Sequence, residues 1–283
     1  IFGNHDYDDV YVNNRAFINN PNFKQTDISC VNVKSQLELL NNNSNFTVFN
    51  NVLHNFEAST KKLVIMIDSN IYVNTPKIHC YKYVFNEGGE NKEKTIEEIR
   101  NLQLGQVRDI ISSCAPEEII FIGHQPIIYC RTRSDNHIQY LENFITFFNN
   151  LKSVINDIPI KYFCADIHFF QQGTIELLEH GLKIEQYIIG TGGTYHCDKI
   201  CKLDKLVNDP IRMNDLISYK ITDQKQEYGY LIYDNGNVEF KEVPFKTASY
   251  TIIDGDIKIF DKNFNNDDQV VCSQIGSGYK RKY

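Results

Sequence analysis

The sequence predicts an α/β protein whose sheet is followed at its C-terminal end by β-hairpins. Short apolar runs alternate with helical patterns through about two thirds of the chain, an order typical of a largely parallel sheet covered by helices. Beyond that point the apolar runs come in pairs around tight polar turns, as in antiparallel hairpins. With 283 residues, of which 42% are hydrophobic, the chain is long enough to bury a large core.

Four strands and two helices are predicted in the α/β part. The strands are apolar runs of suitable length, over residues 61–68, 118–122, 160–165 and 186–190. The helices carry apolar residues at helical spacing, over residues 95–113 and 138–155. Pro116 ends the first helix because proline cannot donate to the helical ladder.

The C-terminal part predicts two hairpins. One pairs residues 230–233 with 238–240 around Asn235-Gly236, and the other pairs residues 250–253 with 257–260 around Gly255. This change of pattern divides the chain into a main domain over residues 1–245 and a C-terminal β extension and tail over residues 246–283.

Charge and composition exclude some functions. The net charge is −7, and an extended nucleic-acid surface would need clustered Lys and Arg instead. No apolar run approaches the roughly 20 residues of a membrane helix, so no membrane partner is predicted.

The eight cysteines are scattered, and none forms a C-x-x-C pair. Cysteines inside apolar runs are typical of reduced structural thiols, which predicts a cytoplasmic protein. Because their number is even, disulfides stay an open alternative. Cys197 and Cys201 beside His196 resemble half of a zinc site, but a loop with two unrelated thiols is the favoured interpretation because no second ligand pair follows.

Three clusters of metal-binding residue types lie in loops that open the chain or follow apolar strands. They are Asn4-His5-Asp6, His124, and Asp166 with His168. Strands of an α/β sheet end at one edge, so the clusters can converge there. On an extended segment Asp166 and His168 would point to the same side. A lone His124 is more often an ordinary loop or core histidine, whereas Gly3-Asn4-His5-Asp6 is specific because four residue types must occur together.

The clusters resemble, in order and type, the last three motifs of the calcineurin-like metallophosphoesterases. Gly3-Asn4-His5-Asp6 resembles their G-N-H-D/E motif, and Gly123-His124-Gln125-Pro126 resembles the G-H-x-P form of purple-acid-phosphatase-like branches. Ala165-Asp166-Ile167-His168 stands in place of the final G-H-x-H. The resemblance covers about two thirds of that domain. It implies a four-layer α/β/β/α sandwich that lacks its first strands here.

The resemblance also implies a role for each matching residue. Asn4 and His124 would bind one metal ion of a dinuclear site, and His168 would complete the other. Asp166 would be a further metal ligand. His5 would protonate the leaving group or stabilise a phosphoryl oxygen, with Asp6 orienting it. Two Mn, Fe or Zn ions would activate a bridging water for attack on phosphorus. The implied activity is hydrolysis of phosphoesters in small-molecule or protein substrates.

Two departures from the family pattern leave alternatives open. Asp166 stands where the family has His, so it is either a metal ligand or the cap of a strand end. The upstream D-x-H and G-D motifs are expected before Ile1, in the complete gene product. Without them the chain would be a non-catalytic pseudo-enzyme, or a metal- or nucleotide-binding module.

Other candidates are weaker. Arg131 and His196 are candidate substrate-binding residues, although Arg131 also suits a solvated loop. Asp68-Ser69-Asn70 is interpreted as structural or as part of a pocket rim. The turn over residues 191–193 either cradles phosphate through backbone N–H groups or only reverses the chain.

Overall fold

The computed structural model describes residues 52–74, 95–132, 136–191, 200, 210–243, 247–253 and 256–262. The predicted site residues Asn4, His5, Asp6 and His196 lie outside these ranges, as does most of the predicted turn over residues 191–193.

The secondary structure of the described residues is dominated by strands. In chain order these are β1 (Leu53–Glu57), β2 (Lys62–Met66), β3 (Glu118–Ile122), β4 (Ile128–Thr132), β5 (Asn136–Tyr140), β6 (Ile160–Cys164), β7 (Phe170–Leu177), β8 (Leu182–Ile189), β9 (Ile211–Asn214), β10 (Ile217–Lys225), β11 (Gly229–Asp234), β12 (Asn237–Glu242), β13 (Thr247–Ile253) and β14 (Asp256–Lys262). The helices are α1 (Ile96–Cys114) and α2 (Glu142–Ile155), with a short 3-10 helix over Ser69–Tyr72.

Eight strands form one mixed sheet in the order β1-β2-β3-β6-β8-β7-β10-β9. The four central strands β2, β3, β6 and β8 run parallel. The flanking strands add antiparallel pairs on both sides. The predicted α/β class is therefore confirmed. Because the central strands are parallel, their carboxyl ends meet along one edge, which positions the candidate site.

The predicted elements agree with the structure except around residues 136–140. The strand over residues 118–122 has the predicted bounds, and β2, β6, β8 and α1 occupy the predicted segments. The helix predicted from residue 138 begins too early, because Asn136–Tyr140 is strand β5, paired with β4 in a hairpin. Strands β1, β4, β5, β7, β9 and β10 were not predicted.

Helix α1 has a defined signal at each end. Thr95 and Glu98 form a capping box, in which each side chain accepts from the backbone N–H of the other residue. At the C-terminal end Ala115 adopts the left-handed conformation, with φ of 46°. Pro116 follows and cannot continue the helix, as predicted.

Helix α2 packs on one face of the sheet through aromatic side chains. Phe144 stacks on Tyr72 with ring centroids 4.6 Å apart and meets the edge of Tyr162 at 5.4 Å. Phe148 meets Phe121 of β3 edge to face at 5.3 Å. All five rings are buried, so this cluster is a main part of the core that supports the strand ends.

The hairpin of β11 and β12 packs on the opposite face of the sheet. Tyr233 contacts Phe163 with ring centroids 6.0 Å apart, and Phe240 stacks on Phe170 at 4.6 Å. The hairpin of β13 and β14 is also present with the antiparallel register. Both C-terminal hairpins predicted from the sequence are thus confirmed.

The cysteines differ from the expectation of reduced thiols at one described position. Cys114 and Cys164 are free, whereas Cys130 is disulfide-bonded. In the part of the chain that the structure describes, no helix has the length and apolar character needed to cross a membrane.

Candidate functional site

The loops that follow β2, β3 and β6 are joined by backbone hydrogen bonds beyond the ends of the strands. Ile67 N donates to Ile122 O at 3.0 Å, and Gly123 N donates to Phe163 O at 3.0 Å. Ala165 N donates to His124 O at 2.9 Å. The parallel ladder therefore continues into the loops and fixes the His124 loop beside the Asp166 loop.

His124 and Asp166, both singled out in the sequence, are in contact at this edge. His124 Nε2 lies 3.2 Å from Asp166 Oδ1, and the two side chains are 20% and 17% exposed. Both groups are therefore held in the protein yet reachable from solvent. Imidazole nitrogen and carboxylate oxygen are suitable ligands for divalent Mn, Fe or Zn.

Gln125 connects this pair to the loop after β2. Its Nε2 donates to Asp166 Oδ1 at 3.1 Å and to Asn70 Oδ1 at 3.3 Å. Asp68 Oδ1 in turn accepts from Asn70 N at 3.0 Å and from Asn70 Nδ2 at 3.2 Å. These contacts form one buried polar network across three neighbouring strand ends, so the orientation of Asp166 depends on residues from all three loops.

Helix α1 supports the same network from behind through Gln103. Its Oε1 accepts from Asp68 N at 3.0 Å, and its Nε2 donates to Asp68 O and to the Tyr72 hydroxyl. Burial raises the pKa of Tyr72 well above its ordinary value, with the hydrogen bond to Gln103 acting in the opposite direction. Tyr72 is therefore a neutral phenol, and the interpretation of Asp68-Ser69-Asn70 as structural support agrees with this arrangement.

The segment that carries Asp166 and His168 is a series of tight turns. Asp166 has φ of 60°. Ile167 N donates to Ala165 O at 2.7 Å, and Phe169 N donates to Ile167 O at 2.9 Å. The prediction of an extended segment is wrong here, because the chain turns back directly into β7. Asp is among the residues that tolerate the left-handed region, which fits its place at this position.

Gly190, at the end of β8, packs directly against this turn. A Cβ atom there would lie 1.7 Å from Ile167 O, a distance that no side chain can accommodate without backbone movement. Gly190 is thus needed for close packing against the Asp166 loop.

His168 has an unusual environment within the described residues. Its Nδ1 is buried and has no hydrogen-bond partner there. A buried imidazole nitrogen without a partner is a group that a ligand can satisfy.

The separation of His124 and Asp166 permits a shared metal ion. Two ligands at about 2.1 Å from one ion lie roughly 3.0–3.4 Å apart for octahedral or tetrahedral angles, and the observed 3.2 Å falls in that range. Among the described residues, however, no group of three or more His, Cys, Asp or Glu side chains is placed to hold an ion. His124 and Asp166 therefore fit as two ligands of one ion, and the other ligands of that ion would have to come from outside the described residues.

Arg131 lies on β4, which two buried glutamines attach to the central sheet. Gln186 Oε1 accepts from Ile127 N at 2.7 Å, and Gln171 accepts from Cys130 N at 3.1 Å and donates to Cys130 O at 3.0 Å. These side-chain amides replace the backbone partners that a strand would provide. The Arg131 guanidinium lies over the Tyr129 ring at 5.5 Å.

Sequence reasoning gave Gln125 and Ser69 no defined contact: Gln125 was only a member of the G-H-x-P motif, and Ser69 was only structural or part of a pocket rim. Glutamine and serine are common, and no spacing marks those that bind a loop from those that face water. The signal that was available is position: Gln125 follows His124 directly, and Ser69 follows a predicted buried strand.

Comparisons with known proteins add little to this geometry. No family model matches the chain, and no curated protein matches it. A solved structure titled "Structure of PhoD" is similar with a TM-score of 0.28 and 11% identity, over 48% of this chain and 28% of that one. The chain thus spans less than a third of that protein. A likeness of this size carries no argument about fold or activity.

Proposed function

We propose that the protein is a metal-dependent hydrolase of phosphoesters that uses a dinuclear metal site in the complete protein. The observation that carries the proposal is the 3.2 Å contact of His124 Nε2 with Asp166 Oδ1 at the carboxyl edge of the parallel strands. The same two residues belong to the motifs that resemble calcineurin-like metallophosphoesterases. The order of the motifs and the observed contact thus both support the interpretation of His124 and Asp166 as metal ligands.

The residues of the site divide into ligands and supports. His124 and Asp166 would hold one Mn, Fe or Zn ion together with Asn4 of the opening loop, and His168 would bind the second ion. Bound ions of this kind polarise a phosphoryl oxygen and lower the pKa of a bound water. Gln125 holds Asp166 in position through the hydrogen bond to Oδ1.

Residues outside the ligand set would handle the proton and the substrate. His5, oriented by Asp6, would supply the proton to the leaving group. Arg131 and His196 would bind the phosphate group of the substrate. The substrate is a phosphorylated small molecule or protein, since a net charge of −7 is unfavourable for a long nucleic acid.

The finer fold assignment belongs to the same proposal. One face of the central sheet is covered by α2, while Val64, Met66 and Ile122 on the other face are only half-buried apolar residues. A second sheet packed on that face would complete the four-layer α/β/β/α sandwich within residues 1–245. Residues 246–283 would form a β extension.

Hydrolysis of p-nitrophenyl phosphate by the complete gene product with Mn²⁺ tests the proposal. His124→Ala should lower kcat/KM by about 100-fold or more, because a metal-binding imidazole is lost. His180→Ala is the matched control: His180 lies in the turn between β7 and β8, at the opposite edge of the sheet. It should retain wild-type activity.

The other outcomes decide between the alternatives. A complete protein that binds Mn²⁺ without turning over any phosphoester would be the non-catalytic binding module. Equal activity in the two histidine variants would show that His124 has no part in the reaction.

A further inference from the structure

We propose that Ser69 is a positioning residue of the candidate site, which fixes the direction in which the loop after β3 presents His124 and Gln125. The inference concerns the same site as the proposed function and rests on that function only for its metal-binding readout. Its structural basis is the set of hydrogen bonds that Ser69, beyond the end of β2, and Tyr162 make to the backbone of that loop.

The Ser69 hydroxyl accepts two hydrogen bonds from successive residues of the loop. Its Oγ lies 2.7 Å from His124 N and 2.7 Å from Gln125 N, and the side chain is fully buried. A hydroxyl has two acceptor positions and one proton, so both acceptor positions are filled. Two adjacent amides bound to one oxygen leave the turn little freedom to rotate.

Tyr162 of β6 closes the set from the neighbouring strand. Its hydroxyl donates to Gln125 O. Burial raises the pKa of Tyr162 well above its ordinary value, so the phenol keeps its proton for that donation. The N–H of Gln125 is thus held by Ser69 and its carbonyl oxygen by Tyr162.

Gly123 explains why the loop can come this close. A Cβ atom at this position would lie 2.4 Å from the Tyr162 hydroxyl and 3.0 Å from Ser69 Oγ. The glycine before His124 is therefore required by the approach of Ser69 and Tyr162. Gly123, Ser69 and Tyr162 together hold the turn that carries His124 and Gln125.

The arrangement also limits how a phosphate can bind. Successive backbone N–H groups in a turn often form a concave anion site. Here the N–H groups of His124 and Gln125 are taken by Ser69, so they are not available to a substrate. A phosphate bound at this loop must therefore be recognised by side chains. Because Ser69 fixes the backbone of the loop, it also sets the direction in which the His124 imidazole is presented.

NMR of the complete protein tests the structural part without reference to activity. Ser69→Ala should accelerate hydrogen exchange of the His124 and Gln125 amides and shift the ¹⁵N resonances of the His124 imidazole. Ser69→Thr keeps the hydroxyl and should restore both. Ser218→Ala is the control, since Ser218 is a buried serine of β10 at the opposite edge of the sheet, and it should change neither.

Titration with Mn²⁺ supplies the second readout. Ser69→Ala should weaken Mn²⁺ binding by about 10- to 100-fold, the range expected when support of a metal ligand is lost. Wild-type exchange and imidazole resonances in Ser69→Ala, or equal changes in Ser218→Ala, would overturn the inference. A wild-type protein that binds no Mn²⁺ would refute the proposed function, while the NMR result still decides the role of Ser69. If Ser69→Ala does not fold, Tyr162→Phe keeps the packed ring and should show the same imidazole shift; its absence would refute the inference.

Discussion

Gln125 Nε2 lies 3.1 Å from Asp166 Oδ1, so a neutral side chain of one strand-end loop orients the carboxylate of the next. His124 Nε2 approaches the same oxygen at 3.2 Å. Both contacts use Oδ1, and the position of that oxygen is therefore set by two residues that follow each other in the chain. The position of Asp166 thus depends on the β3 loop as much as on its own turn.

Gln125→Leu tests the hydrogen bonds of Gln125 separately from the volume of its side chain. The variant keeps the size of the side chain but removes the donations to Asp166 and Asn70, leaving Asn70 Oδ1 without that partner. We expect the free energy of unfolding to fall by about 1–3 kcal/mol and Mn²⁺ affinity to fall about tenfold. Urea unfolding and calorimetric titration measure the two effects.

Gln106→Leu is the matched control for that experiment. Gln106 is a half-buried glutamine of α1 whose Oε1 is buried without a hydrogen-bond partner among the described residues. Replacing it with an apolar residue should be neutral or stabilising. A similar loss of Mn²⁺ affinity in both variants would show that Gln125 has no special connection to Asp166.

Gly190→Ala should disturb the Asp166 turn by direct collision. The added methyl group would meet Ile167 O, so the backbone of the turn or the end of β8 must move. We expect a loss of stability of about 1–3 kcal/mol, typical of overpacking, together with weaker Mn²⁺ binding. Thermal unfolding with and without Mn²⁺ reports both.

Gly105→Ala provides the opposite case. Gly105 lies inside α1, and a Cβ atom there meets nothing within 4 Å. Alanine in a helix is favoured over glycine by about 1 kcal/mol, so this variant should be stabilised with unchanged Mn²⁺ binding. Equal stability of the two glycine variants would contradict the close contact at Gly190.

Glu118 should contribute stability that is lost in acid. Desolvation is the largest single influence on the pKa of Glu118, and it raises that pKa. Hydrogen bonds from Lys161 and Tyr233 and the charges of Lys161 and Lys62 act in the opposite direction. Together they lower the pKa of Glu118 below the ordinary value of 4.5. The distances from Glu118 to Lys161 Nζ and to the Tyr233 hydroxyl are 2.8 and 2.7 Å. A lowered pKa in the folded state means that the stabilisation is complete above the ordinary value and declines as the pH falls through the folded value.

The test compares urea unfolding of the wild type and Glu118→Gln at neutral and acidic pH. At pH 7 the variant should be less stable by about 1.5–3 kcal/mol, because hydrogen bonds to a charged group are lost. The difference should shrink as the pH falls below about 4.5. Glu117→Gln, in an exposed pair with Lys61, should cost no more than about 1 kcal/mol. If the stability difference between the wild type and Glu118→Gln grew in acid, the predicted direction of the pH dependence would be wrong.

Much of the central sheet could be predicted because its strands carry simple patterns. Residues 118–122 are apolar in four of five positions and end at a glycine, so both bounds were found. Residues 138–140 were wrongly predicted as helix because Ile138 and Tyr140 continue an apolar pattern into α2. Only the pairing of residues 136–140 with β4 makes them a strand. Strand β10 depends on its antiparallel partner β7, a tertiary relationship that local propensity does not contain.

The candidate site was predictable in its charged residues and not in their supports. His124 and Asp166 follow apolar strands, and parallel pairing brings strand ends together, so their proximity could be inferred. The left-handed conformation of Asp166 could not, because it follows from the return of the chain into β7. The two hydrogen bonds accepted by Ser69 require the loops in place, since the donors are 55 and 56 residues away in sequence.

The most direct test of the account is the Mn²⁺ binding isotherm of the complete protein with Asp166→Asn and with Asp157→Asn. Asp157 is a fully exposed aspartate in the loop before β6, at the other edge of the sheet from Asp166. The account predicts that Asp166→Asn weakens Mn²⁺ binding at least about tenfold, whereas Asp157→Asn binds like the wild type. Wild-type affinity in Asp166→Asn would contradict the claim that this strand end is a metal site.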